Sequence, residues 1–480
     1  MSATHDKEQS DPGPREARLA AWAEQTIGGR VEAIEAIARW RPAWNLDLDM
    51  GDRVLALHAR GERDDGIGMP YKIDYERRVH DLLEAHDVPV PHVYGYCDDP
   101  YVMVMDRLSG SVDVSFAASE EERIDVVLQY LSFLPRIYGI DLEEARAAGF
   151  TIPESPEEIG LGLLPAFEAG YDERMIHPDP VSEFLRVWLH RHCPRHRTTR
   201  RLITFDAFQF MFAMGRITGL IDFELAHVGD PLSELAVLPV RDTIKNLGDL
   251  STIAMAWSDI TGEELDYDVL DFHTIAYNAH AVLSAAPLIV TPPANGELMS
   301  YFGWYVNGAR WAFERIAVLG GFELDVVDPP ASRPSRHSPG FSLLVERLSN
   351  RGPSMGVGDH DKALNFRVAR YLQRVDQIGR DVEKGDLDDA ADLLGHRPEP
   401  EELDAALVSF ISTSTPDDEE NLARVLDRRV QRLHLTLAPE GSMMLRHPRL
   451  KSLRPGHDGG PGSGAADDLP WTPGLIAGTR

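Results

Sequence analysis

The chain has 480 residues and a formal net charge of −30, and 43% of its residues are apolar. This length suggests two or three domains, and the apolar fraction excludes global disorder. The acidic balance argues against nucleic acid or an anionic membrane surface as a partner, and two cysteines cannot build a disulfide framework. Because the first residues lack an apolar signal core and no apolar run reaches membrane-spanning length, we expect a cytoplasmic protein without a membrane span.

The N-terminal part of the chain predicts a small sheet with one helix. Residues 1–17 are polar and indicate a disordered tail. Apolar spacing predicts a helix over about 18–39, which Gly28 and Gly29 interrupt. Strands are predicted over 44–49 and 53–60, an amphipathic helix over 73–85, and two further strands before residue 109.

Helical patterns dominate the rest of the chain. They cover 120–140, 180–192 and 251–319, and a short β-region with two tight loops is predicted between residues 201 and 231. A proline-rich stretch at 327–340 is typical of a linker. Long helical patterns return at 363–383, 401–412 and 417–437.

Two aspartates flank the predicted hairpin, Asp206 in ITFDAFQF and Asp222 in GLIDFELAHVGDP. Such a pair suits phosphoryl transfer, in which one carboxylate orients the attacking hydroxyl and the other holds a magnesium ion at the ATP phosphates. Magnesium prefers oxygen ligands and takes few of them from the protein. The alternative is that each aspartate only caps a turn.

Residues 18–345 resemble the aminoglycoside phosphotransferase and choline-kinase-like family. The resemblance is carried by YERRVHDLLEAHDVPVPHVYGYCDDPYVMVMDRLSG and, more specifically, by IDFELAHVGDPLSELA. It implies an α+β, protein-kinase-like two-lobe fold, with a β-rich N-lobe over 18–110 and a helical C-lobe over 111–345. A linker over 346–358, an α-helical accessory domain over 359–453 and a disordered tail over 454–480 are expected to follow. The accessory domain resembles an uncharacterised helical domain that accompanies such lobes in other bacterial proteins.

The resemblance implies Asp206 as the catalytic residue and Asp222 as a metal ligand. The family usually shows His-Gly-Asp and an Asn five residues after the Asp, whereas this chain has Thr204-Phe205-Asp206 and Met211 at that distance. A two-residue deletion would restore the family's spacing to Asp222 and make Gln209 the second magnesium ligand. Its amide oxygen is still a hard ligand.

The cation that anchors ATP must come from the predicted strand at 53–60. Arg60 ends that strand, and the resemblance pairs it with Glu76 of the following helix. A guanidinium fork can contact a phosphate and a carboxylate together. His58 is the alternative on the same strand face, and no glycine-rich phosphate loop is present in the sequence.

Other groups have weaker signals. His190, His192, Cys193 and His196 fit either a zinc site or, more commonly, a basic surface. The aromatic run from Tyr301 to Trp311 is more typical of the hydrophobic core of a lobe than of a substrate-binding pocket. Asp230 is expected to brace the catalytic loop, and Glu224 to support the metal site.

The sequence therefore predicts an ATP- and Mg²⁺-dependent phosphotransferase that acts on a small-molecule hydroxyl. A hydroxyacyl-CoA or another lipid-derived alcohol is the candidate substrate that the resemblance suggests. The alternative is a pseudokinase or nucleotide-binding scaffold. For the C-terminal helical domain we expect a role in homo-oligomer formation or in binding a protein partner.

Overall fold

A computed structural model describes residues 13–37, 41–63, 67–294, 296–349, 357–437 and 447–456. Most of the predicted N-terminal tail, the central part of the predicted linker and residues 457–480 of the predicted C-terminal tail lie outside these ranges. Within them, no helix is long and apolar enough to cross a membrane.

The N-lobe is a five-stranded antiparallel sheet flanked by two helices. The strand order is β1-β2-β3-β5-β4, so the last two strands form a hairpin whose second strand joins β3. One face of the sheet buries Trp44, Leu46 and Leu57 under the first helix. The elements are α1 Pro14–Thr26, β1 Arg30–Ala36, β2 Ala43–Asp49, β3 Val54–Gly61, α2 Ile73–Ala85, β4 Val93–Asp98 and β5 Tyr101–Asp106.

The single helix predicted over 18–39 is wrong. Helix α1 begins at Pro14, inside the predicted tail, and ends at Thr26, and the chain then enters β1. The physical reason is Gly28 and Gly29, whose φ angles of 95° and 77° reverse the chain in a conformation that side-chain-bearing residues avoid. The residues that follow pair with β2 instead of continuing the helix.

Helix α2 has the predicted bounds and links the two lobes. Its buried face carries Val79 and Leu83, which belong to the same hydrophobic core as the C-lobe helices. At its first turn, the hydroxyl of Tyr75 donates a hydrogen bond of 2.8 Å to the carbonyl of Ala226. The helix is therefore fixed against the C-lobe segment that follows Asp222.

The C-lobe is helical except for two short two-stranded sheets, β6 with β9 and β7 with β8. These sheets carry the segment between Arg201 and Gly229, in which the two candidate aspartates lie. The elements are α3 Glu120–Tyr138, α4 Leu142–Ala147, α5 Pro156–Leu161, α6 Leu164–Arg174, α7 Pro180–His192, β6 Arg201–Ile203, β7 Phe210–Ala213, β8 Arg216–Leu220, β9 His227–Gly229, α8 Pro231–Leu235, α9 Leu238–Lys245, α10 Leu250–Thr261, α11 Tyr267–Val290 and α12 Leu298–Gly320.

The C-terminal helices pack onto this lobe. They are α13 Ser338–Ser349, α14 Val357–Leu394, α15 Leu403–Thr413 and α16 Glu419–Leu437. Helix α16 lies against α12, and its Leu422 and Leu426 are fully buried in the C-lobe core. The predicted α+β two-lobe fold with an added helical region is confirmed, and the added region shares a core with the lobe.

The connection between the lobes is held against the β7–β8 hairpin. Ser111 and Phe212 exchange two backbone hydrogen bonds of 2.9 Å. Gly110 makes this approach possible, since a Cβ there would lie 1.9 Å from the carbonyl oxygen of Phe212, and its φ is 106°. The lobe connection and the hairpin before Asp222 are thus positioned together.

We expect Gly110→Ala to lower the free energy of unfolding by about 2–4 kcal/mol, because the methyl group adds a backbone overlap to the cost of a positive φ. Gly248→Ala is the matched control, since Gly248 has a φ of 112° and open space at its Cβ position. It should cost about 1 kcal/mol. If chemical denaturation shows the same loss in the free energy of unfolding for both variants, the close contact with Phe212 contributes nothing.

Candidate active site

Asp206 lies in a tight loop between β6 and β7. Phe205 and Phe208 on either side of it have φ values of 60°, and both side chains are buried in the core. Left-handed backbone at residues with side chains costs about 1–3 kcal/mol each and persists only where packing imposes it. The loop is therefore rigidly held by its aromatic residues.

A buried acid fixes the start of this loop. Glu234 accepts hydrogen bonds from the hydroxyls of Tyr130 at 2.9 Å, Tyr138 at 3.0 Å and Thr204. Burial raises the pKa of Glu234, although its three donors oppose the shift. Thr204, two residues before Asp206, is thereby anchored to α3 and α8.

Gln209 connects the two aspartates. Its Nε2 lies 3.1 Å from Asp206 Oδ2 and 3.0 Å from Asp222 Oδ2, so the amide donates to both carboxylates. Met211 is one of the β7 residues paired with β8, opposite Gly219. The amide expected from the deletion argument is therefore the side chain that lies between the aspartates.

Asp222 follows β8 and has a φ of 69°. Burial raises the pKa of its carboxyl, but the guanidiniums of Arg60, Arg41 and Arg241 outweigh this effect and lower the pKa to about 2. The carboxylate is thus ionised at neutral pH. An ionised carboxylate at this place can accept hydrogen bonds or bind a cation.

Arg60 joins Asp222 to the N-lobe. Its guanidinium lies 3.0 Å from Glu76, 3.2 Å from Asp222 and 3.5 Å from Glu224. Burial raises the pKa of Glu76 to about 6, a shift that Arg60 limits. His58, the alternative anchor, bonds to Asn45 at 2.9 Å. The geometry therefore brings Arg60, and not His58, to the candidate site.

Glu224 contacts two further arginines that the sequence analysis missed. Arg41 forms an ion pair with it, and Arg63 lies 3.5 Å away. Arg41 is 8% exposed and belongs to the connection between β1 and β2. The pairing of β2 with β3, which sets Ala43 opposite Arg60, is the signal that could have identified Arg41 as a neighbour of Arg60.

A second missed group lies on the other side of Asp206. Arg241 forms an ion pair with Asp206, and the hydroxyl of Tyr277 donates to the same oxygen at 2.8 Å. Lys245 donates to the carbonyl of Phe208 at 2.7 Å and lies 3.4 Å from Gln209 Oε1. Arg241 and Lys245 are four residues apart on α9, a spacing that places both on one helix face.

Asp222 and Gln209 could provide two oxygen ligands to a magnesium ion. This number suits Mg²⁺, which usually combines one or two protein ligands with phosphate oxygens and waters. Gln209 would have to turn its amide, because Nε2 now faces the carboxylates. Among the described residues, no group of three or more His, Cys, Asp or Glu side chains could hold a metal by itself.

The remaining groups singled out in the sequence have structural partners. The histidines near the end of α7 bond to separate carboxylates: His190 to Glu168 at 3.0 Å, His192 to Glu419 at 2.8 Å and His196 to Asp266 at 3.3 Å. Asp230 accepts both arms of Arg197 at 2.7 and 2.9 Å. In the aromatic run, Tyr301, Phe302, Tyr305 and Trp311 are buried in the lobe.

A family model and two curated proteins are similar to parts of this chain. The sequence model of the phosphotransferase enzyme family matches residues 70–270. Acyl-CoA dehydrogenase family member 11 from Homo sapiens and from Pongo abelii is 25% identical over 239 residues, which is 44% of this chain. The match spans 28% of the length of these two relatives. The predicted phosphotransferase resemblance is confirmed.

Solved structures are similar at low identity. A GDP and kanamycin complex of an aminoglycoside phosphotransferase gives a TM-score of 0.45 at 15% identity, with 62% of this chain and 98% of that chain covered. Macrolide 2'-phosphotransferase from Brachybacterium faecium gives a TM-score of 0.42 at 18% identity, with 57% and 93% covered.

Glu76 makes the stability of the protein depend on pH. Its pKa is about 6 in the folded chain, above the ordinary glutamate value, so the folded state takes up a proton before the unfolded state does. Relative to Glu76→Gln, wild type should therefore gain stability as the pH falls from about 6 to 4.5, by at most about 1.4 kcal/mol per pH unit. This gain is lost as the pH rises through 6.

Denaturation curves at several pH values measure this difference. Glu121→Gln, at an exposed glutamate on α3, is the control and should track wild type. If the free energy of unfolding of wild type relative to Glu76→Gln stays constant between pH 4.5 and 6, or grows with rising pH, the raised pKa of Glu76 is contradicted.

Proposed function

Because residues 70–270 match the sequence model of the phosphotransferase enzyme family, we propose that this chain transfers the terminal phosphoryl group of ATP to a hydroxyl group of a small molecule. The observation that supports this function best is the link between the two aspartates through Gln209, directly beneath the Arg60 fork. Phosphoryl transfer requires positioning and charge stabilisation, and the cleft offers both.

Asp206 is the proposed proton acceptor. The oxygen of the acceptor hydroxyl forms a bond to the γ-phosphorus, the bond from that phosphorus to the β,γ-bridging oxygen breaks, and ADP leaves. The hydroxyl proton passes to the carboxylate of Asp206. The left-handed residues and the buried network around Thr204 keep this carboxylate in place during the step.

Arg60 and Arg41 are the proposed phosphate anchors. Arg60 is held by Glu76 and Asp222, so its fork is oriented before a nucleotide arrives. Arg41 lies on the β1–β2 connection, where the sequence lacks a glycine-rich loop, and its side chain would replace backbone contacts to phosphate. Glu224 neutralises these arginines in the absence of nucleotide.

Asp222 and Gln209 are the proposed magnesium ligands. The ion supplies charge neutralisation at the phosphates when it is bound. Asp222 suits this task because its carboxyl is ionised over the whole physiological pH range. Turning the Gln209 amide would bring Oε1 to the ion and release the hydrogen bond to Asp206.

For the acceptor, we propose a hydroxyl-bearing acyl compound. The support is the similarity to acyl-CoA dehydrogenase family member 11, whose name refers to acyl-CoA chemistry. The arginine-rich cleft is compatible with an anionic compound of this class. A hydroxyacyl-CoA and the corresponding free hydroxy acid are the two forms to be tested.

The two aspartates should separate binding from turnover. Asp222→Asn and Gln209→Ala should remove most of the Mg²⁺-dependent part of the thermal stabilisation by ATP, whereas Asp206→Asn should retain it. Asp206→Asn should instead reduce ATP turnover by about 10²–10⁴-fold, since it removes a positioned proton acceptor.

Gln209→Asn should keep part of the Mg²⁺-dependent thermal stabilisation by ATP. Met211→Leu is the control and should behave as wild type. Turnover that persists in Asp206→Asn would reject its role. Wild-type protein without any ATP turnover would favour the scaffold alternative.

Arg41 should contribute to affinity for phosphates specifically. Arg41→Ala should weaken ADP binding about tenfold or more, because charged hydrogen bonds to phosphate contribute about 1.5–3 kcal/mol. Adenosine binding should be unchanged. Arg30→Ala, on the exposed β1 strand, is the matched control. Equal ADP affinity of the two variants in calorimetry would remove Arg41 from the nucleotide site.

A further inference from the structure

Three donors hold the carboxylate of Asp206, two of them on one oxygen. Oδ1 receives Arg241 and the hydroxyl of Tyr277, and Oδ2 receives the amide of Gln209. A hydroxyl that is to lose its proton to Asp206 must come within hydrogen-bond distance of this carboxylate. Oδ2 accepts one donor and can accept another, whereas a hydroxyl that approaches Oδ1 must displace Arg241 or Tyr277.

One of these donors is the buried guanidinium of Arg241. Arg241 is 12% exposed in its side chain, and Lys245, on the same face of α9, is 5% exposed. Asp242 is the only acid in the sequence of α9, and it is paired with Lys451 at 2.8 Å. Helix α9 thus directs the guanidinium of Arg241 and the amine of Lys245 toward the loop that carries Asp206.

Displacing Arg241 from Asp206 would leave a buried guanidinium without its counter-charge. Such a group is strongly unfavourable unless a new anion replaces the old one. A neutral acceptor offers no replacement. A cationic acceptor would add repulsion against Arg241 at short range. An anionic acceptor that approaches Oδ1 both frees this oxygen and satisfies the arginine.

We propose that the acceptor carries a carboxylate close to its hydroxyl, and that Arg241 exchanges from Asp206 to this substrate carboxylate when the acceptor binds. The inference rests on the proposed function, because it takes Asp206 as the proton acceptor. Since Arg241 and the hydroxyl share the neighbourhood of Asp206 Oδ1, the two substrate groups lie within a few bonds of each other. A 3-hydroxy acid has this spacing, and a polycationic acceptor does not fit.

A charge series on one carbon skeleton tests the proposal. The probes are 3-hydroxybutyrate, 3-hydroxybutyramide and 4-amino-2-butanol, which are anionic, neutral and cationic. Their binding to the full chain is measured by calorimetry without nucleotide. Wild type should bind the carboxylate at least about tenfold more tightly than either of the others.

Two variants connect this preference to Arg241. Arg241→Met should abolish it, and Arg241→Lys, which keeps a charge but loses the fork, should retain part of it. Arg216→Met, the same substitution at an exposed arginine of β8, should leave the preference unchanged. Circular dichroism and thermal melting of each variant establish that it is folded. If Arg241→Met is not folded, the comparison between wild type and Arg241→Lys tests the proposal.

Failure of this inference and failure of the proposed function give different results. An equal response of wild type to the three probes, including no response, overturns the acceptor inference, as does a preference that persists in Arg241→Met. Wild type that prefers the carboxylate but shows no ATP turnover with 3-hydroxybutyrate supports the acceptor site and contradicts phosphoryl transfer to that acceptor. ATP turnover stimulated by 3-hydroxybutyrate and not by the amide supports both.

Discussion

The cleft depends on the guanidinium of Arg60. It is the residue of β3 that contacts acids from both lobes, with Glu76 on α2 and Asp222 and Glu224 after β8. Glu76 is buried, so removal of Arg60 would leave its carboxyl group without this ion-pair partner, a penalty that commonly amounts to about 3–5 kcal/mol. The position of α2, the ionisation of Asp222 and the orientation of the Arg60 guanidinium are therefore coupled.

The charge of the cleft opposes the charge of the chain. The whole protein carries −30, yet the guanidiniums of Arg41, Arg60, Arg63 and Arg241 surround the aspartates. Physiological salt screens exposed charges beyond about 8 Å, so a ligand at this site would experience mainly these neighbours. An acidic chain can in this way offer a locally positive environment to an anion.

Local sequence patterns predicted those elements that are determined by residues close together in the sequence. The period of α2 gave its bounds, and the interval between residues 209 and 222 placed Gln209 between the aspartates. The first strand was missed because its apolar residues also fit a helical period, and only the left-handed glycines at 28 and 29 decide between the two. Arg41 and Arg241 were missed because their partners lie far away in sequence, at Glu224 and Asp206, and no periodicity encodes such contacts.

The loop that carries Asp206 has a consistent set of compensating contacts. It turns sharply at Phe205 and Phe208, where the backbone is left-handed. The cost of this geometry is offset by two burial sites for the aromatic rings and by Lys245, which binds the carbonyl of Phe208. Polar networks in which every member is satisfied hold one conformation, whereas unpaired buried groups would loosen it. The segment from Thr204 to Gln209 is therefore held by the packing of α9 and the C-lobe core, with both aspartates within hydrogen-bond distance of the Gln209 amide.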